Sequence, residues 1–250
     1  AVFPASTPVS AASSRVDIIC ANPGENCNTQ IGISWIADFD CTECFVEYKE
    51  ASDSGWGNAT VVNGSYNDTD YKYFLGNTFA TNSAQPVFSE EHKFLNYNAD
   101  LTGLKPATRY KYRIGDGYGE YSAVHYFKTS GAEEYSFVWI SDFHTYSPLR
   151  DRLTAATQAV AYAASQAEYN VDMMFSTGDT VAYGGSVNFW RQVYNTAFVK
   201  NYLYVDLNGN HDNMNNTNTN NTFNYFRIMH NNPENCYLGD STTPYEPGVV

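Results

Sequence analysis

Short runs in which apolar and polar side chains alternate fill the first half of the chain. Residues 31–35, 44–48, 94–101, 109–114 and 121–127 follow a period of two, are rich in Tyr, Val, Ile and Phe, and are separated by turn residues. Runs of this kind read as strands with one buried face. No stretch before residue 130 keeps an apolar face at helical spacing, so residues 1–130 are predicted to form an all-β sandwich. The pattern changes at Ser130 and Gly131. Residues 135–141 are continuously apolar, as expected of a strand buried on both faces. Residues 153–167 are Ala-rich and free of Gly and Pro, which favours a helix. A strand (171–177), a helix (187–199) and a strand (202–207) follow, giving a β-α-β-α-β order with right-handed crossovers between parallel strands. Residues 213–224, dominated by Asn and Thr, read as a polar loop, and residues 223–230 as a short helix.

Each of the three strands in the second half ends in a polar cluster. These are Ser141-Asp142-Phe143-His144, Thr177-Gly178-Asp179-Thr180 and Asn208-Gly209-Asn210-His211-Asp212. Open α/β sheets bind their ligands beyond the carboxyl ends of the strands. Neighbouring parallel strands would bring Asp142, His144, Asp179, Asn210 and His211 to one rim. Carboxylate, imidazole and amide oxygen together suit Zn, Mn or Fe. A single Gly-Asp more often closes a turn than holds a metal. Three clusters in this order, each closing a buried strand, point to a metal site.

Charge and cysteine usage narrow the function. Lys and Arg total 14 against 27 Asp and Glu, a formal net charge of −13. That sign excludes a nucleic-acid phosphate backbone as partner. No stretch approaches the roughly 20 apolar residues of a membrane helix, so no membrane span is expected. Only 16% of residues are charged while Tyr reaches 21, a polar but weakly charged surface typical of secreted proteins. The start at Ala1-Val2-Phe3-Pro4 reads as a mature end left after signal removal, so the expected location is extracellular. Cys20 and Cys27, and Cys41 and Cys44, are expected to close two local disulfides, which leaves Cys236 unpaired. Glycosylation sequons stand at Asn58, Asn63, Asn67, Asn215 and Asn220, a number close to chance for a chain this rich in Asn, Ser and Thr.

Two resemblances follow from these motifs. The segment Leu101-Thr-Gly-Leu104-Lys-Pro106-Ala-Thr108-Arg-Tyr110 is similar to the approach to strand F of fibronectin type III domains, where a tyrosine hydroxyl bonds to upstream backbone. Tyr110 would be that residue. The order DxH, GD, GNHD resembles the calcineurin-like metallophosphoesterases. With the β-sandwich in front and the stretch 113–122, the chain is similar to purple acid phosphatases and their relatives. Residues 131–250 would then be the N-terminal half of a metallophosphoesterase domain. The resemblance implies two divalent or trivalent transition metals (Fe, Zn or Mn) bridged by Asp179. Asp142 and His144 would hold one metal and Asn210 the other. A bridging hydroxide would attack the phosphorus of a small phosphorylated substrate, with His211 near the leaving oxygen and Asp212 orienting it.

The sequence departs from the family at several points. His144 stands where purple acid phosphatases have Gly, Ala182 stands at their iron-binding Tyr position, and Tyr183 comes one residue late. No tyrosinate–iron bond is therefore expected. None of the five histidines (His92, His125, His144, His211, His230) follows a Gly, so the family's later imidazole motifs are missing up to Val250. His92 and His230 read as surface residues and His125 as structural. The chain is thus expected to be a partial one, in which the missing C-terminal half or another chain covers an open sheet edge and an apolar face. The functional expectation is an exported metal-dependent phosphoesterase acting on phosphate monoesters. The alternative is a non-catalytic extracellular structural or assembly protein that keeps the fold.

Overall fold

The computed structural model describes residues 12–66, 71–74, 78–79, 86–87, 91–131, 135–146, 152–166, 168–213 and 225–232. Eleven strands come first: β1 (Val16–Pro23), β2 (Ile31–Asp38), β3 (Phe45–Glu50), β4 (Thr60–Asn63), β5 (Ser65–Tyr66), β6 (Tyr71–Phe74), β7 (Thr78–Phe79), β8 (Pro86–Val87), β9 (Glu91–Leu101), β10 (Arg109–Gly115) and β11 (His125–Lys128). There follow β12 (Phe137–Ile140), α1 (Arg152–Ser165), β13 (Met173–Ser176), α2 (Val187–Tyr194), α3 (Ala197–Asn201), β14 (Leu203–Asp206) and α4 (Tyr225–Ile228).

Two antiparallel sheets form the sandwich. One runs β1-β2-β9-β5, with β6 also on β9; the other runs β11-β10-β3-β4. Alternation places Ile31, Ile33, Trp35, Leu95, Tyr97 and Leu101 from the first sheet against Val46, Tyr110, Tyr112, Ile114 and Phe127 from the second. Trp35 stacks on Tyr97 with centroids 5.0 Å apart, and Tyr110 on Phe127 at 5.3 Å. The Tyr110 hydroxyl accepts the Lys105 amide at 2.9 Å, which forms the backward bond expected of the tyrosine corner.

The first sheet is buried on its outer face as well. A register shift between Asp17 and Cys20 turns Ile18 and Cys20 outward, where they join Ile36 and Phe94 in a second core with α2, α3 and α4. That double burial explains why β1 escapes a period-two reading. Cys20, expected to close a local disulfide with Cys27, lies inside this strand.

The second half holds a parallel sheet in the order β12-β13-β14, with α1 and then α2 and α3 in the crossovers. The expected helix over 187–199 is broken at Asn195, where Thr196 caps α3 by accepting the Val199 amide. The sheet abuts the sandwich at β1, where Asn22 Nδ2 donates to the Tyr204 carbonyl at 2.9 Å. β12 departs from the expectation of burial on both faces. Among the described residues it is an edge strand, with Phe137 54% and Trp139 67% exposed.

Cys20, Cys27, Cys41 and Cys44 are all free thiols, so the two expected local disulfides are not formed. Cys20 lies inside β1 opposite Ser34 of β2, whereas the Cys27 thiol, in the hairpin loop beyond Pro23, donates to the Gly24 carbonyl at 3.5 Å. The Cys44 thiol donates to the Cys41 carbonyl, and the Cys41 sulfur accepts from Arg15 at 3.4 Å. His230 is not a surface residue either. It is buried between the Tyr194 hydroxyl (3.1 Å) and the Phe226 carbonyl (3.0 Å). Cys236, Asn67, Asn215, Asn220 and the 214–224 stretch lie outside the described residues, as does the side chain of His92.

Candidate metal centre

The carboxyl ends of β12 and β13 continue to pair after the strands proper. The Asp142, His144 and Thr145 amides donate to the carbonyls of Gly178, Asp179 and Thr180 at 3.1, 2.9 and 2.9 Å. This ladder sets the DxH cluster beside the Gly-Asp cluster. Gly178 lies at φ +95°, and a Cβ there would stand 2.6 Å from the Gly209 nitrogen. A Cβ on Gly209 would meet Asp179 Oδ1 at 2.3 Å. Both glycines are thus required for the second and third strand ends to approach each other.

Asp212 completes the joint. Its buried carboxylate accepts the Val181 amide at 3.0 Å and the Gly209 amide at 2.9 Å. Burial pushes its pKa up, offset in part by those two amides. Asp212 therefore ties the two loops together and does not bond to the His211 ring. The His211 amide in turn donates to Asp179 Oδ1 at 2.9 Å.

Three side chains converge as a result. One donor atom each from His144, Asp179 and His211 lies within 4.8 Å of the others. His144 Nε2 is 3.4 Å from Asp179 Oδ2, and the two imidazoles meet edge to face at 4.4 Å. Each imidazole has its Nδ1 against a backbone carbonyl: Asp142 for His144 at 2.9 Å and Ala182 for His211 at 3.0 Å. A carbonyl only accepts, so at His211 Nδ1 carries the proton and Nε2 keeps its lone pair for a cation; at His144 the same kind of carbonyl contact competes with Arg152, a pure donor 3.2 Å from Nδ1. Asp142, His144 and Asp179 all have positive φ, at 56°, 41° and 51°. Backbone strain of this kind, on three non-glycine residues within one site, is held in place by the surrounding loops.

Of the carboxylates in the sequence expectation, Asp142 is not in the triad. The Asp142 carboxylate is exposed and takes the Ser141 hydroxyl, while its carbonyl holds His144. Asn210 is exposed on the third loop. Tyr183 packs on Tyr146 at 5.6 Å. Sequence reasoning missed two side chains. Arg152, at the start of α1, places its guanidinium 3.2 Å from His144 Nδ1 and 3.3 Å from the Asp142 carbonyl. Asp206 is buried beneath the site and accepts from the Thr180 and Tyr204 hydroxyls at 2.8 and 3.2 Å. Burial, reinforced by Asp212, pushes its carboxyl up to about 8. The one signal for Asp206 was an acid closing an apolar strand; Arg152 had none.

The relatives bear on both halves. Residues 17–129 match the N-terminal domain of purple acid phosphatases. The chain resembles that family in structure too. A purple acid phosphatase from yellow lupin (Lupinus luteus) seeds superposes with a TM-score of 0.56 at 18% identity, over 79% of this chain and 35% of that one. The shared fold therefore extends past residue 129, and this chain spans about a third of the lupin chain's length. The sensor domain of an anti-sigma factor from Pseudobacteroides cellulosolvens is a fainter likeness, at 22% identity over 47% of this chain and 93% of that one, with a TM-score of 0.28. No curated protein matches in sequence. Among the described residues, no helix is long and apolar enough to cross a membrane.

Proposed function

We propose that the chain is an exported metal-dependent phosphoesterase acting on small phosphate monoesters. The observation that carries this reading is the convergence of His144, Asp179 and His211 at the ends of three parallel strands. Two imidazoles and one carboxylate form a donor set that fits a transition-metal ion such as Zn, Mn or Fe. Bound there, such an ion would supply Lewis acidity toward a phosphoryl oxygen. The chain's own residues do the rest. The Asp142 and Ala182 carbonyls fix the two rings, and Asp212 holds the loops that carry Asp179 and His211. Arg152, beside His144, is placed to take the non-bridging oxygens of a phosphate. As a member of the triad, His211 serves as a ligand rather than as a proton donor to the leaving group.

The test is hydrolysis of an aryl phosphate by protein loaded with Zn, Mn or Fe. Asp179→Asn is expected to lower kcat/KM by at least about 100-fold, a loss of roughly 2.7 kcal/mol of transition-state stabilisation. Arg152→Ala is expected to raise KM about tenfold while kcat falls less. A metal-loaded wild type that hydrolyses nothing would favour the assembly reading, which the uncovered aromatic face at Phe137 and Trp139 supports.

A further inference from the structure

Asp206 has no part in the proposed chemistry, yet it is buried beneath the site. It closes β14, and the parallel register sets it beside Ser176, the last residue of β13. Strand alternation turns both residues to the side of Met174 and Tyr204, which are core residues packed with α2 and α3. The chain then turns at Gly178 and brings Thr180 back to the same place, so Ser176, Thr180 and Asp206 are buried together. Polar groups in such a layer are costly unless they bond one another. Here they bond in series. Thr180 Oγ1 donates to Asp206 Oδ2 at 2.8 Å, and the Tyr204 hydroxyl donates to the same oxygen at 3.2 Å. The single Thr180 proton is thereby used, so Ser176 Oγ donates to Thr180 Oγ1 across 3.1 Å. Ser176 Oγ in turn accepts the Gly178 amide at 3.3 Å. The series therefore grips the residue before Asp179 and the residue after it.

We propose that Ser176, Thr180 and Asp206 are positioning residues, which set Asp179 against His144 and His211. Asp179 lies at φ +51°, a left-handed conformation that a non-glycine residue keeps only where its surroundings over-determine it. Two sets of bonds do this. The loop after β12 holds the carbonyls of Gly178 and Asp179. The buried series holds the Gly178 amide and the Thr180 side chain from the opposite side. A fully bonded buried network of this kind fixes geometry more firmly than apolar packing would. That the carboxylate so placed serves a cation rests on the metal reading of the strand ends; that it is held in place does not.

The experiment compares Thr180→Val, which keeps the shape and removes the hydroxyl, with Thr180→Ser, which keeps the hydroxyl. In the full chain stripped of metal with EDTA, the readout is hydrogen exchange of the His211 amide, which donates to Asp179 Oδ1. Thr180→Val is expected to speed that exchange at least about tenfold while the amides of β10 keep their rates, and Thr180→Ser to restore the wild-type rate. Zn(II) titration of the same proteins should give a Kd at least about tenfold weaker in Thr180→Val and near wild type in Thr180→Ser. An unchanged His211 amide in Thr180→Val overturns the inference, as does exchange that rises equally in β10, which would make the hydroxyl merely structural. Unchanged Zn(II) affinity in Thr180→Val, beside a wild type that binds the ion, overturns it equally. A wild type that takes up no Zn(II) contradicts the metal reading instead, and the amide comparison, made without metal, still decides the positioning.

Discussion

Single residues decide how this chain reaches its shape. Tyr110 is one of them: its ring packs on Phe127 while its hydroxyl accepts the Lys105 amide. Tyr110→Phe keeps the packing and strands that amide, so it is expected to destabilise the protein by about 1–3 kcal/mol in urea unfolding. A change below about 0.5 kcal/mol would deny the corner its structural role. Tyr110 was legible because the segment 101–110 is similar to the approach to strand F of fibronectin type III domains. The triad was legible only in part. DxH, GD and GNHD named the three loops that carry the converging side chains, but not which atoms turn inward. At Asp142 a left-handed backbone sends the carboxylate to Ser141 and leaves the carbonyl for His144. Sequence spacing carries no information on that choice. Nor did it reveal Arg152, because a surface arginine ahead of a helix is unremarkable until its neighbours are placed.

Among the elements, period-two runs located β2, β3, β9 and β10 to within a few residues, and the apolar runs located β12, β13 and β14. β1 was hidden because both its faces are buried, so alternation is lost. The opposite error occurred at β12, where an apolar run lies at the edge. Phe137 and Trp139 share one face with Met173 and Phe175, and Phe137 meets Phe175 at 6.2 Å. An apolar face of this kind, left open, binds hydrophobic probes or another surface. Phe137→Ser with Trp139→Ser is expected to cut the fluorescence of a bound naphthalene-sulfonate dye by more than half while far-UV circular dichroism is retained. Unchanged dye binding would show that something covers the face.

For the whole molecule, buried histidines and buried acids set the pH response. Burial lowers His125 to about 3 and His230 to about 4, against a usual 6.5. Below 6.5 the unfolded chain takes up protons at both residues that the fold refuses, so stability falls as pH drops. Asp206 acts in the opposite direction. Its folded value of about 8 lies above the usual 3.8, so the fold holds a proton that the unfolded chain releases, and stability falls as pH rises toward 8. Each unmatched proton is worth about 1.4 kcal/mol per pH unit. Below 6.5 the two histidines act against the acids, Asp212 being pushed up by burial as well as Asp206, and above 6.5 the acids act without them. Stability is therefore expected to pass through a maximum at or below pH 6.5. Asp206→Asn should flatten the decline from 6.5 to 8 in thermal unfolding, and an unaltered decline would locate the titrating group elsewhere.

The central claim is that His144, Asp179 and His211 hold a cation together. Its most direct measurement is calorimetric titration of the EDTA-stripped protein with Zn(II) or Mn(II). One ion per chain is predicted, with the binding heat lost in Asp179→Asn and in His144→Ala. A stripped wild type that takes up no ion, or variants that bind as the wild type does, would contradict it.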